Sequence, residues 1–334
     1  MRKLASIRVI TRISPIQNAD RIEVAQVDNW NVVVNKGIHS VGEKVIYCEI
    51  DSFLPIRPEF EFLRKSSYKK MSDGSEGFRL RTVKLRGQIS QGLILPYSIL
   101  YGEFNVGDDV SEVLGIVKYE PPIPADLAGK VKGSFPSFIQ RTDEERIQNL
   151  TENYEEYKKF KFFASEKVDG TSGTFYVKDG EFGVCSRNLE LLRTEGNTFW
   201  KLVDAYNLEE NLLNFGRNIA IQGEVVGEGV QKNKYKMLGQ KLLVYNIFDI
   251  DKYEYLSKNE MIEMTKSLNL DVVPTICEEI ELPQTIEEIL LFAEDKSRLN
   301  PETEREGLVW VSIDSPQRIS FKTISNKFLL KWEE

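Results

Sequence analysis

Histidine is almost missing from this chain of 334 residues: the only one is His39. It sits in the turn-rich stretch NKGIHSVGEK, which reads as a surface loop. Chemistry built on paired histidines is therefore excluded. Cysteine is scarce as well. Cys48, Cys185 and Cys277 lie far apart and form no CxxC pair, which argues against both a disulfide framework and a zinc site. No apolar run approaches a membrane span, and the opening MRKLASIRVITRI is interrupted by charge too early for a secretory leader. There is no internal repeat and no low-complexity tract. These absences lead to the expectation of a cytoplasmic, monomeric protein with no membrane contact and with length enough for two separately cored domains.

Acid exceeds base, for a net charge of −8, which at first argues against a nucleic-acid partner. The distribution argues the other way. Between Arg64 and Arg86 stand eight basic residues, Arg64, Lys65, Lys69, Lys70, Arg79, Arg81, Lys84 and Arg86, against two acids, Asp73 and Glu76. Local charge, not the total, makes a phosphate-binding surface. A solvated, charged hairpin would have the same composition.

Residues 1–117 read as all-β. Short β-rich runs at Ile22–Val27, Trp30–Val34, Val45–Ile50 and Gly92–Leu95 are separated by the turn signals NAD, DN, VGEK, SDGSEG and VGDD. Such strands suit a small OB-type β-barrel. The stretches ITRISPIQNADRIEVAQVDNWNVVV and RGQISQGLIL resemble the OB domains that bind tRNA beside aminoacyl-tRNA synthetases. Residues 118–140 contain Pro121, Pro122, Pro124 and Pro136 without periodicity and read as a linker. In residues 141–334, Thr142 with Glu145 three positions on is a capping-box signal for a helix. Strands are expected near 160–166, 173–178, 182–186, 219–226, 242–250, 308–313 and 318–323. Helices are expected over Thr198–Phe215, Ser257–Leu268 and Thr285–Ala293, and the acidic Glu278–Asp295 stretch reads as a solvated helix face. Hairpin turns such as KDGE and SIDSPQ imply antiparallel sheets with flanking helices, an α+β domain.

Within that second domain, KFKFFASEKVDGTSGTFYVKDGEFGVCSRN sets Lys167 between Glu166 and Asp169 at the end of an apolar strand. Four more strand-end features follow in order: Ser186-Arg187-Asn188, Gly223-Glu224, Phe248-Asp249 and Glu306-Gly307. Lys322 comes last, within ISFKTISNKFLLK. A single charged strand end is usually just solvated; this series is harder to dismiss. Trp30, Trp200, Trp310 and Trp332 read as core residues, as does Tyr245.

This order resembles the motifs of the covalent nucleotidyltransferases, the polynucleotide ligases and mRNA capping enzymes. GEVVGEGVQKNKY and FPSFIQRTDEERIQNL are closer to nick-sealing RNA ligases. With an OB-type module placed ahead of the catalytic domain, the chain resembles the RNA ligase 5 family, of Naegleria type. The resemblance implies an ATP-dependent RNA ligase that works with Mg²⁺ or Mn²⁺ and joins 3′-OH to 5′-phosphate ends in nicked duplex RNA, through lysyl-AMP and RNA-adenylate. It makes Lys167 the nucleophile, with Phe248 stacked on adenine and Glu166 reading the adenine edge. Glu224 would hold the ribose hydroxyls and Arg187 the ribose or phosphate. Asp169 and Glu306 would hold the metal through its waters, and Lys322 would stabilise the transferred phosphate. Lys232, Lys234 and Lys236, together with Arg79, Arg81, Lys84 and Arg86, would contact RNA.

The nucleophile's chemistry can be argued separately. A lysine amine with a pKa near ~10.4 is almost wholly protonated at neutral pH. Glu166 and Asp169 favour that charged form, so bound metal and nucleotide have to outweigh them before the amine can attack the α-phosphorus of ATP. Two departures from the family pattern stand out. The last motif usually holds two lysines one residue apart, but Ser320 and Ile324 flank Lys322, leaving Lys327 or Lys331 as substitutes. Thr171-Ser172 stands where many RNA ligases have Thr-Asn. The competing readings are an mRNA guanylyltransferase, which domain order disfavours, and a non-catalytic RNA-binding protein.

Overall fold

The computed structural model describes residues 3–71, 74–119 and 130–332. The first of these segments build a five-stranded antiparallel sheet in the order Leu93–Pro96, Lys44–Cys48, Ala5–Pro15, Ile22–Val27, Trp30–Asn35. Ala5–Pro15 is long enough to pair on both sides because it bends at a bulge between Ile10 and Arg12. A second sheet (Val117–Lys118, Ser52–Pro55, Glu76–Arg79, Tyr68–Lys70) closes over a core that includes Ile7, Ile46, Leu54, Phe60 and Phe78. The N-terminal module is thus an OB fold. His39 lies in a loop as expected, but its imidazole is covered and hydrogen-bonds to Glu43.

The hairpin Val83–Leu85/Gln88–Ser90 turns at Arg86 and Gly87, both at positive φ, so Lys84 and Arg86 stand in solvent at its tip. Arg81 is also exposed, whereas Arg79 is half-buried with its guanidinium 4.3 Å from the centre of the Tyr119 ring.

Two antiparallel sheets make the second domain. The larger runs Val131–Ser134, Leu189–Leu191, Glu181–Cys185, Thr171–Lys178, Ile219–Gly227, Gln240–Asp249, Glu254–Tyr255, with Asp271–Val272 added in parallel to Gln240–Asp249. The smaller runs Thr275–Glu281, Lys161–Lys167, Gly307–Ser312, Ser320–Ile324. Their cores hold different clusters, Phe175, Ile221 and Val244 in the first, Phe162, Trp310 and Phe321 in the second.

Four expectations change. Residues 130–134, read as linker, start the larger sheet, and Phe135 and Ile139 are buried in its core; residues 120–129 lie outside the described residues. The capping-box helix at Thr142 does not form. The Thr142 hydroxyl is drawn to the Tyr245 hydroxyl at 3.2 Å, and the Glu145 carbonyl accepts the Lys322 N–H, so the segment runs beside strand Ser320–Ile324. The helix expected over Thr198–Phe215 is two, Thr198–Tyr206 and Leu208–Asn214, broken where Asn207 takes a left-handed conformation. The acidic stretch is divided: Glu278 and Glu279 lie on strand Thr275–Glu281, and the helix is Ile286–Phe292.

The modules are joined by polar contacts over an apolar patch. Trp30 is fully buried and its indole N–H donates to Asn149 Oδ1 at 2.8 Å, while Arg146 pairs with Asp51 at 3.2 Å. Ile324 and Leu329, from the far end of the chain, pack into the same cluster as Trp30, Val32 and Tyr47. The last strand and helix of the second domain are therefore anchored to the OB fold.

Candidate active site

Strand register brings Lys167 opposite Gly307, at the ends of paired strands. Lys167 Nζ donates to Glu306 Oε1 at 2.7 Å. Beyond Lys167 the chain turns at Gly170 into strand Thr171–Lys178, where Ser172 pairs with Glu224. A Cβ at Gly170 would overlap the Val225 carbonyl oxygen, so only glycine brings this N–H to Glu224 Oε1, 3.1 Å away. The Asp169 N–H donates to the Tyr235 hydroxyl at 2.7 Å, and its carboxylate pairs with Lys234. Lys167, Asp169, Glu224 and Glu306, far apart in sequence, thus meet in one place.

Their charges are strongly coupled. Burial alone would lower the Lys167 ammonium, but the Glu306, Glu224 and Asp169 carboxylates outweigh it and hold it above the ordinary lysine value. Glu224 is pushed up to about 8, by burial first and then by Glu306 and Asp169, against the pull of Lys167. Burial likewise raises Glu306, whose Oε2 is buried with no hydrogen-bond partner. Three carboxyl groups, one with an orphaned oxygen and one that burial keeps protonated toward pH 8, make a donor set that suits a hard divalent cation, which would take that proton's place. Among the described residues, no three acidic, histidine or cysteine side chains are grouped to ligate one ion directly.

A cationic cluster borders this acidic one. Lys118, Arg187 and Lys322 converge on Asp143, at 2.9, 3.3 and 3.2 Å. Together they hold its carboxyl far below the carboxylate range, against burial. Lys322 also lies near enough to Glu306 to favour its ionised form. The second lysine missing from the last motif is not replaced by Lys327, which is exposed and pairs with Glu294, nor by Lys331, which is exposed beside Trp332. The partners of Lys322 are Arg187 and Lys118, the latter on a strand paired to the OB module. Ser320 is engaged with Arg318 and Glu144.

Other assigned positions are engaged differently from what the resemblance implies. Phe248 pairs with Ala220, four residues along the strand from Glu224, or about 13 Å. Its ring is fully buried, edge-on to Tyr253 and Tyr255, and offers no open face to a base. Besides Tyr235, an aromatic that does reach the site is Tyr245, at a bulge, hydrogen-bonded to Ser172 at 3.0 Å and close enough to feel Glu224. Glu166 is buried and accepts from Ser297 Oγ at 2.5 Å and Arg298 N–H at 2.8 Å, so its carboxylate anchors the loop at 297–298. Of the lysines expected to contact RNA, Lys232 and Lys236 are exposed, Lys236 pairing with Glu302, whereas Lys234 is turned inward. Tyr235, Lys118 and Asp143 were missed in sequence; only the KNKYK run hinted at Tyr235.

Two family models match the chain, an OB-fold domain over residues 4–97 and an RNA ligase over residues 160–332. Among solved structures, Naegleria gruberi RNA ligase with pyrophosphate is 43% identical, with a TM-score of 0.90 and 98% of each chain covered. A variant of that enzyme with ATP and manganese is 42% identical, with a TM-score of 0.91 and full coverage of both chains. Another variant, with AMP and manganese, is 43% identical at a TM-score of 0.91, again covering 98% of each. No curated protein matches. Its catalytic core and its OB module both have counterparts in these matches, and the chain belongs to the RNA ligase family.

Proposed function

We propose that the chain is an ATP-dependent ligase that seals RNA nicks bearing 3′-OH and 5′-phosphate ends, acting as a cytoplasmic monomer on duplex RNA. The observation that carries this reading is the Lys167 ammonium held by Glu306 among two further carboxylates, beside a cluster of cations suited to phosphate.

Lys167 would attack the α-phosphorus of ATP, forming a phosphoramidate as pyrophosphate leaves. Asp169 and Glu306, with Glu224 alongside, would hold Mg²⁺ or Mn²⁺ through water. A divalent cation there supplies neutralisation of the phosphate charge and weakens the carboxylates' grip on the lysine proton. Glu306 Oε1 is the proton's nearest acceptor. Lys322, Arg187 and Lys118 would stabilise charge on the phosphates, with Lys118 supplying the charge the missing lysine would have given. Glu224 would hold the ribose hydroxyls, and Glu166 would shape the adenine pocket through the loop it anchors. AMP would then pass to the RNA 5′-phosphate and be released when the 3′-OH attacks. Arg81, Lys84 and Arg86, exposed in the OB module, would track the strand backbone.

A panel of nicked duplexes with RNA or DNA on each side of the nick tests this reading. Sealing is expected wherever ribonucleotides supply the 3′-OH. Equal sealing of all-DNA nicks would make the chain a DNA ligase in activity.

A further inference from the structure

Lys234 is poorly placed to bind RNA. Its side chain is 8% exposed and its ammonium is paired with Asp169. The same ammonium lies 4.6 Å from the Phe328 ring centre and 5.1 Å from that of Trp332. Two aromatic faces and a carboxylate therefore surround it, each attractive to a cation. The loop that carries it is rigidly built. Gln231, Lys232, Asn233 and Lys236 all take positive φ, Asn233 Oδ1 accepts the Met237 N–H at 3.0 Å, and Asn300 Nδ2 donates to the Lys234 carbonyl at 3.3 Å. Adjacent residues of this loop hold both ends of Asp169: Tyr235 takes its N–H and Lys234 its carboxylate. The cage also reaches the OB module, because Phe328 and Trp332 share the helix Asn326–Trp332 with Leu329, which packs beside Trp30.

We propose that Lys234 is a positioning residue for Asp169, a built-in cation that fixes this carboxylate beside the nucleophile and sets how tightly the site takes a divalent metal. The inference rests on the reading of Asp169 as a metal-holding carboxylate. A fixed positive charge in contact with Asp169 repels an incoming divalent ion while keeping the carboxylate aimed. Removing that charge leaves more negative potential for metal and a less ordered Asp169.

The test is a titration of Mn²⁺, followed by the electron paramagnetic resonance signal of the free ion, into the full chain without nucleotide. Wild type, Lys234→Met, Lys234→Arg and Asp169→Asn are compared, each checked for native melting. Lys234→Met is expected to bind Mn²⁺ at least about fivefold more tightly than wild type, and Lys234→Arg within about twofold of it. Asp169→Asn is expected to bind more weakly. Unchanged or weaker Mn²⁺ binding by Lys234→Met, with Asp169→Asn impaired, overturns the inference and leaves the metal reading intact. Wild-type-like binding by Asp169→Asn overturns the metal reading itself. Affinity for a nicked RNA duplex is measured alongside: lost RNA affinity with unaltered Mn²⁺ binding would return Lys234 to the strand-phosphate role.

Discussion

Lys167 ends one strand and Glu306 immediately precedes its antiparallel neighbour Gly307–Ser312, and their side chains close a 2.7 Å ion pair there. The carboxylates here outweigh burial and hold the Lys167 ammonium above the ordinary lysine value, so Lys167 as the proposed nucleophile would lose its proton only with metal and nucleotide bound. Single-turnover adenylylation should therefore rise with pH. In Glu306→Gln, which removes the nearest negative partner, the profile should move to lower pH while the rate at saturating metal falls by about 100-fold or more. A profile that stays in place would mean that Glu306 does not govern the lysine proton.

Glu224 makes stability depend on pH. Its folded pKa is raised to about 8, above that of the unfolded chain, so the folded state holds a proton that the unfolded state has already lost. Stability is then full below the unfolded carboxyl range and falls as pH rises toward 8, by at most about 1.4 kcal/mol per pH unit. Melting temperatures measured from pH 5 to 8 without metal should decline in wild type and decline less in Glu224→Gln. Because metal competes with that proton, Mn²⁺ affinity should also rise across the same range.

The contact between modules gives an asymmetric prediction. Asp51→Ala strands the buried Arg146 guanidinium and should cost about 2 kcal/mol, moderated by the partial exposure of Asp51. Arg146→Met should cost less, because Arg146 Nε and one terminal nitrogen are already buried without partners. Equal losses in chemical denaturation would show that the pair carries no such asymmetry.

Lys118 is the cation that the OB side lends to the cluster around Asp143, the proposed phosphate site. Lys118→Ala should weaken pyrophosphate binding about tenfold at low salt, with the difference shrinking as salt rises. Calorimetry on both proteins at two ionic strengths measures it.

Much of this architecture could be read in the sequence. Alternating apolar runs marked the strands, and the ordered residues from Lys167 to Lys322 marked the site's acids and cations, because motifs at strand ends survive as local patterns. What the sequence concealed depended on contacts between distant segments. Thr142 and Glu145 carry a helix-capping pattern, yet Tyr245 and Lys322 take their hydrogen bonds and keep the segment extended. A bulge turns Tyr245 toward the site, and the core covers Phe248; no periodicity announces either. Lys232, Lys234 and Lys236 look alike in sequence, and only the loop's left-handed residues and the rings of the last helix turn Lys234 inward.

The most direct measurement is incubation of the full chain with α-³²P-labelled ATP and Mg²⁺ or Mn²⁺, followed by denaturing electrophoresis. The account predicts metal-dependent label bound covalently to wild type, stable to denaturation and released by pyrophosphate. It predicts none on Lys167→Met. Label on Lys167→Met, or none on wild type with either metal, would contradict the assignment of Lys167 as the nucleophile.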